Sequence, residues 1–149
     1  MSFVREVTIT VNAPPERVFD YVSDIDHHGE WAGDRLTVRR AGDEEWQSHL
    51  DMGALKADAV ITVERSERPE RFTYVCRDSL SGTYRWTFTL RRTSGGTALT
   101  HRVERLAAPL LVKLIQPWLM WPLSGRPSTD RGLENIKRRL EAPIGQAST

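Results

Sequence analysis

Few side chains in this sequence combine a reactive type with a setting that could use it, and most of those fall on one alternating pair of segments. Tyr84, Trp86, Phe88 and Leu90 alternate with Arg85, Thr87, Thr89 and Arg91, and Leu99, His101, Val103 and Arg105 alternate with Thr100, Arg102 and Glu104. Period-two alternation puts each set on one face of a strand. Ser94-Gly95-Gly96 between them supplies a hairpin turn with glycines able to take positive φ. His101 therefore shares the apolar face, where an imidazole costs free energy unless it is partnered. Bonded to Tyr84 or Tyr74 it is a core histidine; facing a guest it is a polar anchor or proton donor. Arg105 ends the same row. It suits either a cavity mouth, where a guanidinium pairs with a carbonyl or carboxylate, or a solvated strand end.

The remaining chemistry is sparse. The sequence has no G-x-S-x-G elbow, no phosphate-cradling glycine loop and no H-E-x-x-H pair. His27 and His28 are adjacent, so on a helix they diverge by about 100° and make poor joint ligands. With no third ligand nearby they read as a solvated loop pair, and neither a metal nor a cofactor is expected. Cys76 is the only cysteine, which excludes an internal disulfide and leaves a small buried hydrophobe.

The elements that must position these groups follow from pattern. Val7, Ile9 and Val11 form one face of an opening strand. Asn12-Ala13-Pro14-Pro15-Glu16 reads as a helix start with Asn12 as the cap, and Val18, Phe19 and Val22 give the buried stripe. A second short helical turn runs to Trp31. Strands follow around Leu36 and Val38, around Trp46, Ser48, Leu50 and Met52, over Ala57 to Arg65, and around Phe72, Tyr74 and Cys76, before the final hairpin. The spacing predicts an α+β fold in which a curved antiparallel sheet of about seven strands meets helices at its ends.

The stretch Leu106 to Ala142 reads as one long C-terminal helical element. Its first half, to Leu123, is apolar on nearly every side and so requires burial in protein or lipid. Its second half is amphipathic through Leu133, Ile136 and Leu140. Pro117, Pro122 and Pro127, with Gly125 between the halves, predict a kink or a split. Trp118, Met120 and Trp121 are assigned to core or to a lid, with membrane or partner contact through residues 118–123 as the lesser reading.

The 149 residues fit one domain over 1–142, with 143–149 as a disordered tail. Hydrophobic residues at 39% and charged residues at 28% are ordinary for a globular chain. A net formal charge of +1, with Glu104 set among Arg85, Arg91 and Arg102, gives no stripe for nucleic acid. The N-terminus lacks a signal core and Lys113, Gln116 and the prolines interrupt the apolar run, so a cytoplasmic location is expected. Oligomeric state is not readable.

Two stretches resemble the START-like helix-grip superfamily, in its polyketide cyclase/dehydrase-type branch. Thr8 to Asp24, with Trp31 after it, is similar to that family's opening strand and helix. Gly82-Thr83-Tyr84-Arg85-Trp86 through Gly95-Gly96-Thr97, and Leu133-Glu134-Asn135-Ile136-Lys137, are similar to its closing hairpin and helix. The resemblance implies a sheet gripping a C-terminal helix around a cavity. The inward rings and their polar neighbours then become a ligand-binding set: Trp31, Trp46, Ser48, Phe72, Tyr74, Tyr84, Trp86, Phe88, His101 and Trp118. The function expected is binding of a lipid-, sterol- or polyketide-like molecule. The alternative is a cofactor-independent aromatase/cyclase in which His101, Tyr84 and Arg105 act as acid or base.

Overall fold

The computed structural model describes residues 3–32, 36–51, 53–54, 56–119 and 128–142. Seven strands form one antiparallel sheet: β1 (Val4–Val11), β2 (Leu36–Arg40), β3 (Glu45–Asp51), β4 (Lys56–Glu67), β5 (Arg71–Asp78), β6 (Gly82–Thr93) and β7 (Gly96–Ala107). Their spatial order is β1-β7-β6-β5-β4-β3-β2, so every strand from β2 to β7 lies beside its predecessor and β1 closes on the last. Between β1 and β2 come α1 (Pro15–Val22), a 3-10 turn (Ile25–His27) and α2 (Gly29–Ala32). After the sheet come α3 (Leu110–Leu119) and α4 (Ser128–Glu141).

Local chemistry explains these bounds. Pro14 caps α1 with extended backbone and no side-chain hydrogen bond, and Pro15 occupies the first turn, where its missing N–H costs nothing. Asn12 is therefore not the cap; its backbone N–H is used elsewhere, on Glu141. Gly96 has φ +139, and a Cβ there would collide with the Val11 carbonyl. The hairpin can thus press against the end of β1, where buried Thr97 donates its hydroxyl to the Ala13 carbonyl at 2.7 Å. β4 outruns its apolar pattern because its pairing with β5 slips between Val63 and Arg65, a bulge that reverses which residues face inward.

Among the described residues the C-terminal stretch carries two helical segments, α3 and α4. β7 continues to Ala107, and Pro109 offers its carbonyl to Lys113 at the start of α3. Pro117 lies within α3, whereas Met120, Trp121, Pro122, Leu123, Gly125 and Pro127 lie outside the described residues, as do Met52 and the 143–149 tail.

Among the described side chains, those of α4 are the ones gripped. Leu133, Ile136 and Leu140 are buried at the spacing read from sequence, each contributing roughly 2 kcal/mol by removal from water. Gly132 lets α4 approach α2 closely, since a Cβ there would sit 3.2 Å from Trp31 Cε3. Asn135 Nδ2–H donates to the Trp31 carbonyl at 3.0 Å. Toward β1, Lys137 Nζ donates to the Thr10 carbonyl and to Glu141 Oε1, both at 2.7 Å. The Asn12 N–H reaches the same carboxylate at 2.8 Å. The Lys137 hydrogen bond first, and then the Asn12 N–H, hold the Glu141 carboxyl below the usual carboxylate range.

The first half of the stretch departs from expectation. Leu110, Leu111, Leu114 and Ile115 of α3 are exposed, so its apolar side chains are not all taken into the core of this chain.

Candidate ligand-binding site

The pairing register sets which residues share the inner face. Across β1, β7, β6 and β5 run Ile9–Leu99–Leu90, Val7–His101–Phe88–Phe72, Arg5–Val103–Trp86–Tyr74, and Arg105–Tyr84–Cys76. Farther over, Cys76 faces Ile61 and then Trp46, while Asp78 faces Ala59, Ser48 and Val38.

This face divides into two zones. In the first, Val11, Leu99, Leu90, Phe88 and Phe72 pack with Val18, Phe19 and Val22 of α1 and with the buried stripe of α4. Trp31 and Trp46 belong to that contiguous core. Trp31 stands edge-on to Phe88, centroids 5.9 Å apart, and Phe19 edge-on to Phe72 at 6.2 Å. Trp46 donates its indole N–H to Asp26 Oδ1 at 2.9 Å, which ties β3 to the 3-10 turn. Five rings of the expected ligand set, Trp31, Trp46, Phe72, Tyr74 and Phe88, thus belong to the contiguous core. Trp118 lies in α3, and its side chain is outside the described residues.

The second zone begins at Trp86. Val103, Tyr84, Ala57 and Ala59 are buried yet stand outside the contiguous core. Tyr74 and Trp86, cross-strand partners, have parallel rings 6.2 Å apart; Trp86 and His101 follow at 5.4 Å, and His101 and Phe88 at 4.3 Å with planes 9° apart. Side-by-side rings on neighbouring strands stand up from the sheet like slats and present their edges to whatever lies above. The circuit closes through Phe88–Trp31, Trp31–His28 at 4.8 Å and His28–Tyr74 at 5.3 Å.

Polar groups in this second zone are few and specific. Among the described residues the buried Trp86 indole N–H has no hydrogen-bond partner, a state that costs about 1–3 kcal/mol. The Trp31 indole N–H is orphaned in the same way inside the core. Arg5 and Arg105 bring two guanidiniums to the inner rows, Arg105 with Cζ 5.8 Å from the Phe3 ring centroid. The acid on these rows, Asp78, is occupied by the Leu80 and Ser81 backbone N–H groups at 2.6 and 3.0 Å. Tyr84, opposite Arg105, donates its hydroxyl to the Ser81 carbonyl at 3.2 Å. Burial pushes the Tyr74 phenol well above its ordinary range and the Cys76 thiol up to about 12, with Asp78 adding to the latter. Both stay protonated at neutral pH.

His101 is 3% exposed, so the sequence reading that it faces inward holds, and it sits at the seam between the zones. Ser48 is buried, facing Ala59 at the wall of an open cleft of about 440 Å³ that also takes in Arg77 and Asp78. A cleft of about 570 Å³ lies elsewhere, between Pro15 and the β4–β5 and β6 ends. Its Arg65, Arg71, Arg91, Arg92, Glu67 and Glu70 make charged walls unsuited to an apolar guest.

One residue escaped the sequence reading. His27 is exposed and bonded to Asp24 Oδ2 at 2.7 Å, as a loop histidine should be. His28 is not: it is 2% exposed, donating Nε2–H to the Val22 carbonyl at 2.9 Å. Burial lowers its pKa to about 4, so the ring is neutral. Its place three residues before Trp31 in a helical turn was the available signal. Among the described residues no three His, Cys, Asp or Glu side chains converge as a metal site would need.

Residues 3–141 match the family model described as "Polyketide cyclase / dehydrase and lipid transport". No curated protein matches the chain significantly. Among solved structures it is similar to protein CV1439 from Chromobacterium violaceum, with 17% identity, TM-score 0.70, and coverage of 95% of this chain and 99% of that one. It is also similar to Ara h 8.0201, with 9% identity, TM-score 0.66, and coverage of 94% and 98%. DynU16, a putative protein in the dynemicin biosynthetic locus, shares 19% identity at TM-score 0.60, covering 93% of this chain and 47% of DynU16. At these identities the likeness is one of fold.

Proposed function

The chain belongs to the polyketide cyclase/dehydrase and lipid transport family of the START-like helix-grip superfamily, and on that premise we propose that it binds a hydrophobic small molecule over the second zone of its inner sheet face. The observation that carries this reading is the buried indole N–H of Trp86, unpartnered among the described residues and set among apolar rings. A group that costs free energy when unpaired is repaid by an acceptor on a guest. The guest we infer is apolar over most of its surface, with a carbonyl or similar acceptor for Trp86 and an acidic or carbonyl end toward Arg5 and Arg105. Few convergent polar groups in an apolar setting are what small-molecule sites use.

Anilinonaphthalene sulfonate, which combines fused rings with an anionic end, is a suitable probe. Fluorescence titration should show saturable binding, weakened about fivefold in Trp86→Phe and in Arg105→Gln, the loss of one hydrogen bond in each. Unchanged affinity in both variants would overturn the assignment. Native mass spectrometry of protein from its own host then identifies the retained guest.

A second reading, cofactor-independent cyclisation and dehydration of a polyketide-like substrate, draws support from one arrangement. Tyr84 and Arg105 are direct cross-strand partners, and the Trp86–His101 stack lies next along the same strands. These are groups able to stabilise an enolate and move a proton. A His101→Ala protein that binds the probe but loses turnover would favour catalysis; unchanged turnover would remove His101 from that role.

A further inference from the structure

We propose that α3 is a docking helix for an anionic lipid surface, a role distinct from the ligand site. Successive residues of a helix turn by about 100°. Counting from Leu110, Leu114 falls at about 40°, Leu111 at about 100° and Ile115 at about 140° around the axis. These four are 73%, 62%, 68% and 39% exposed, so over the described side chains of α3 the outward side is an apolar arc. Val112, about 200° round, is half-buried and marks the side turned to the protein. Lys113 is exposed on the flank of the arc.

The patch extends beyond the helix. Gly82, at φ +115, lies so close to the end of β7 that a Cβ there would strike the Ala107 carbonyl. The β5–β6 turn therefore meets the approach to α3, and Leu80 and Leu106, 45% and 43% exposed, lie at this same end. Six large aliphatic side chains at one end exceed the scattered exposure normal for a protein surface.

Charge selects the occupant. Among its residues α3 contains no Asp or Glu, and Lys113 supplies a cation on its exposed flank. An apolar helical arc with a cation on its flank and no carboxylate on the helix itself complements a bilayer whose headgroups are negative. Among the described residues no helix is long and apolar enough to cross a membrane, so α3 would lie in the interface plane.

The experiment is vesicle co-sedimentation of the full chain. Mixed phosphatidylcholine–phosphatidylglycerol vesicles should pull it down, and pure phosphatidylcholine vesicles should do so far less. Leu111→Glu/Leu114→Glu alters exposed positions, so its circular dichroism and thermal midpoint should match the parent while binding falls more than tenfold. Lys113→Gln should weaken binding to the anionic vesicles about fivefold, as loss of one interfacial cation does. No sedimentation of the parent on anionic vesicles, or full sedimentation of the double variant, overturns the proposal. So does size-exclusion chromatography showing a dimer that the double variant dissolves, since the arc would then cover a second copy. Probe binding by Trp86→Phe is a separate measurement, so the two readings fail independently.

Discussion

His101 lies flat against Phe88, ring centroids 4.3 Å apart and planes within 9° of parallel, on directly paired positions of β7 and β6. Phe88 is fully buried, so the imidazole completes the wall of the core at the same time as it borders the proposed ligand zone. His101→Ala should therefore destabilise the fold by about 2 kcal/mol, through a cavity and a lost ring contact. Urea unfolding checks this; a loss below a few tenths of a kcal/mol would mean the stack contributes nothing.

His28 gives stability a pH dependence of known sign. Its pKa falls from 6.5 to about 4 on folding, so between those values the unfolded chain takes up a proton that the folded chain refuses. The stability it allows is complete above about 6.5 and declines as pH falls toward about 4, by about 3 kcal/mol in all. His27, exposed and raised by Asp24, works in the opposite sense and is screened by solvent. Denaturant titrations at neutral pH and near pH 4.5 should show the decline in the parent and a flatter profile in His28→Gln. Equal slopes would place the acid sensitivity in another group.

The Trp46–Asp26 hydrogen bond fastens β3 to the turn after α1. Trp46→Phe and Asp26→Ala should each cost about 1–2 kcal/mol, and the double variant little more than the larger single loss. A fully additive cycle would show that the two residues do not act together.

Cys76 should be a slow thiol. Raised to about 12 by burial, it carries almost no thiolate at neutral pH, and a disulfide reagent should modify the native protein orders of magnitude more slowly than the unfolded chain. Fast labelling under native conditions would contradict the burial of the inner face at the β5–β6 pair.

Much of the sheet was legible because alternation is a local signal. Tyr84 to Leu90 and Leu99 to Arg105 face where the pattern puts them, and His101 with them. The extension of β4 to Glu67 was not, since its bulge changes parity and its last residues pair through backbone alone. The C-terminal stretch shows another limit. Hydrophobicity says which side chains gain from leaving water; it does not say what will cover them, and so the first half of the stretch read as buried although Leu110, Leu111, Leu114 and Ile115 are exposed. The candidate site was legible as a face but not as a division of that face. Which rings are packing and which border a guest depends on where α1, α2 and α4 land, a tertiary fact. His28 was hidden for the same reason, since its burial is completed by Tyr74, far off in the chain.

The hold of α4 on β1 has a consequence beyond fastening a helix. β1 forms one border of the sheet, and a bare border is a template on which the strand of another molecule can assemble. Lys137 occupies the Thr10 carbonyl and Glu141 the Asn12 amide, so the last turns of the chain stand guard over backbone groups that would otherwise invite fibril growth. Clipping by a protease ahead of Lys137 would remove that guard together with the buried Leu140, leaving a species prone to self-association.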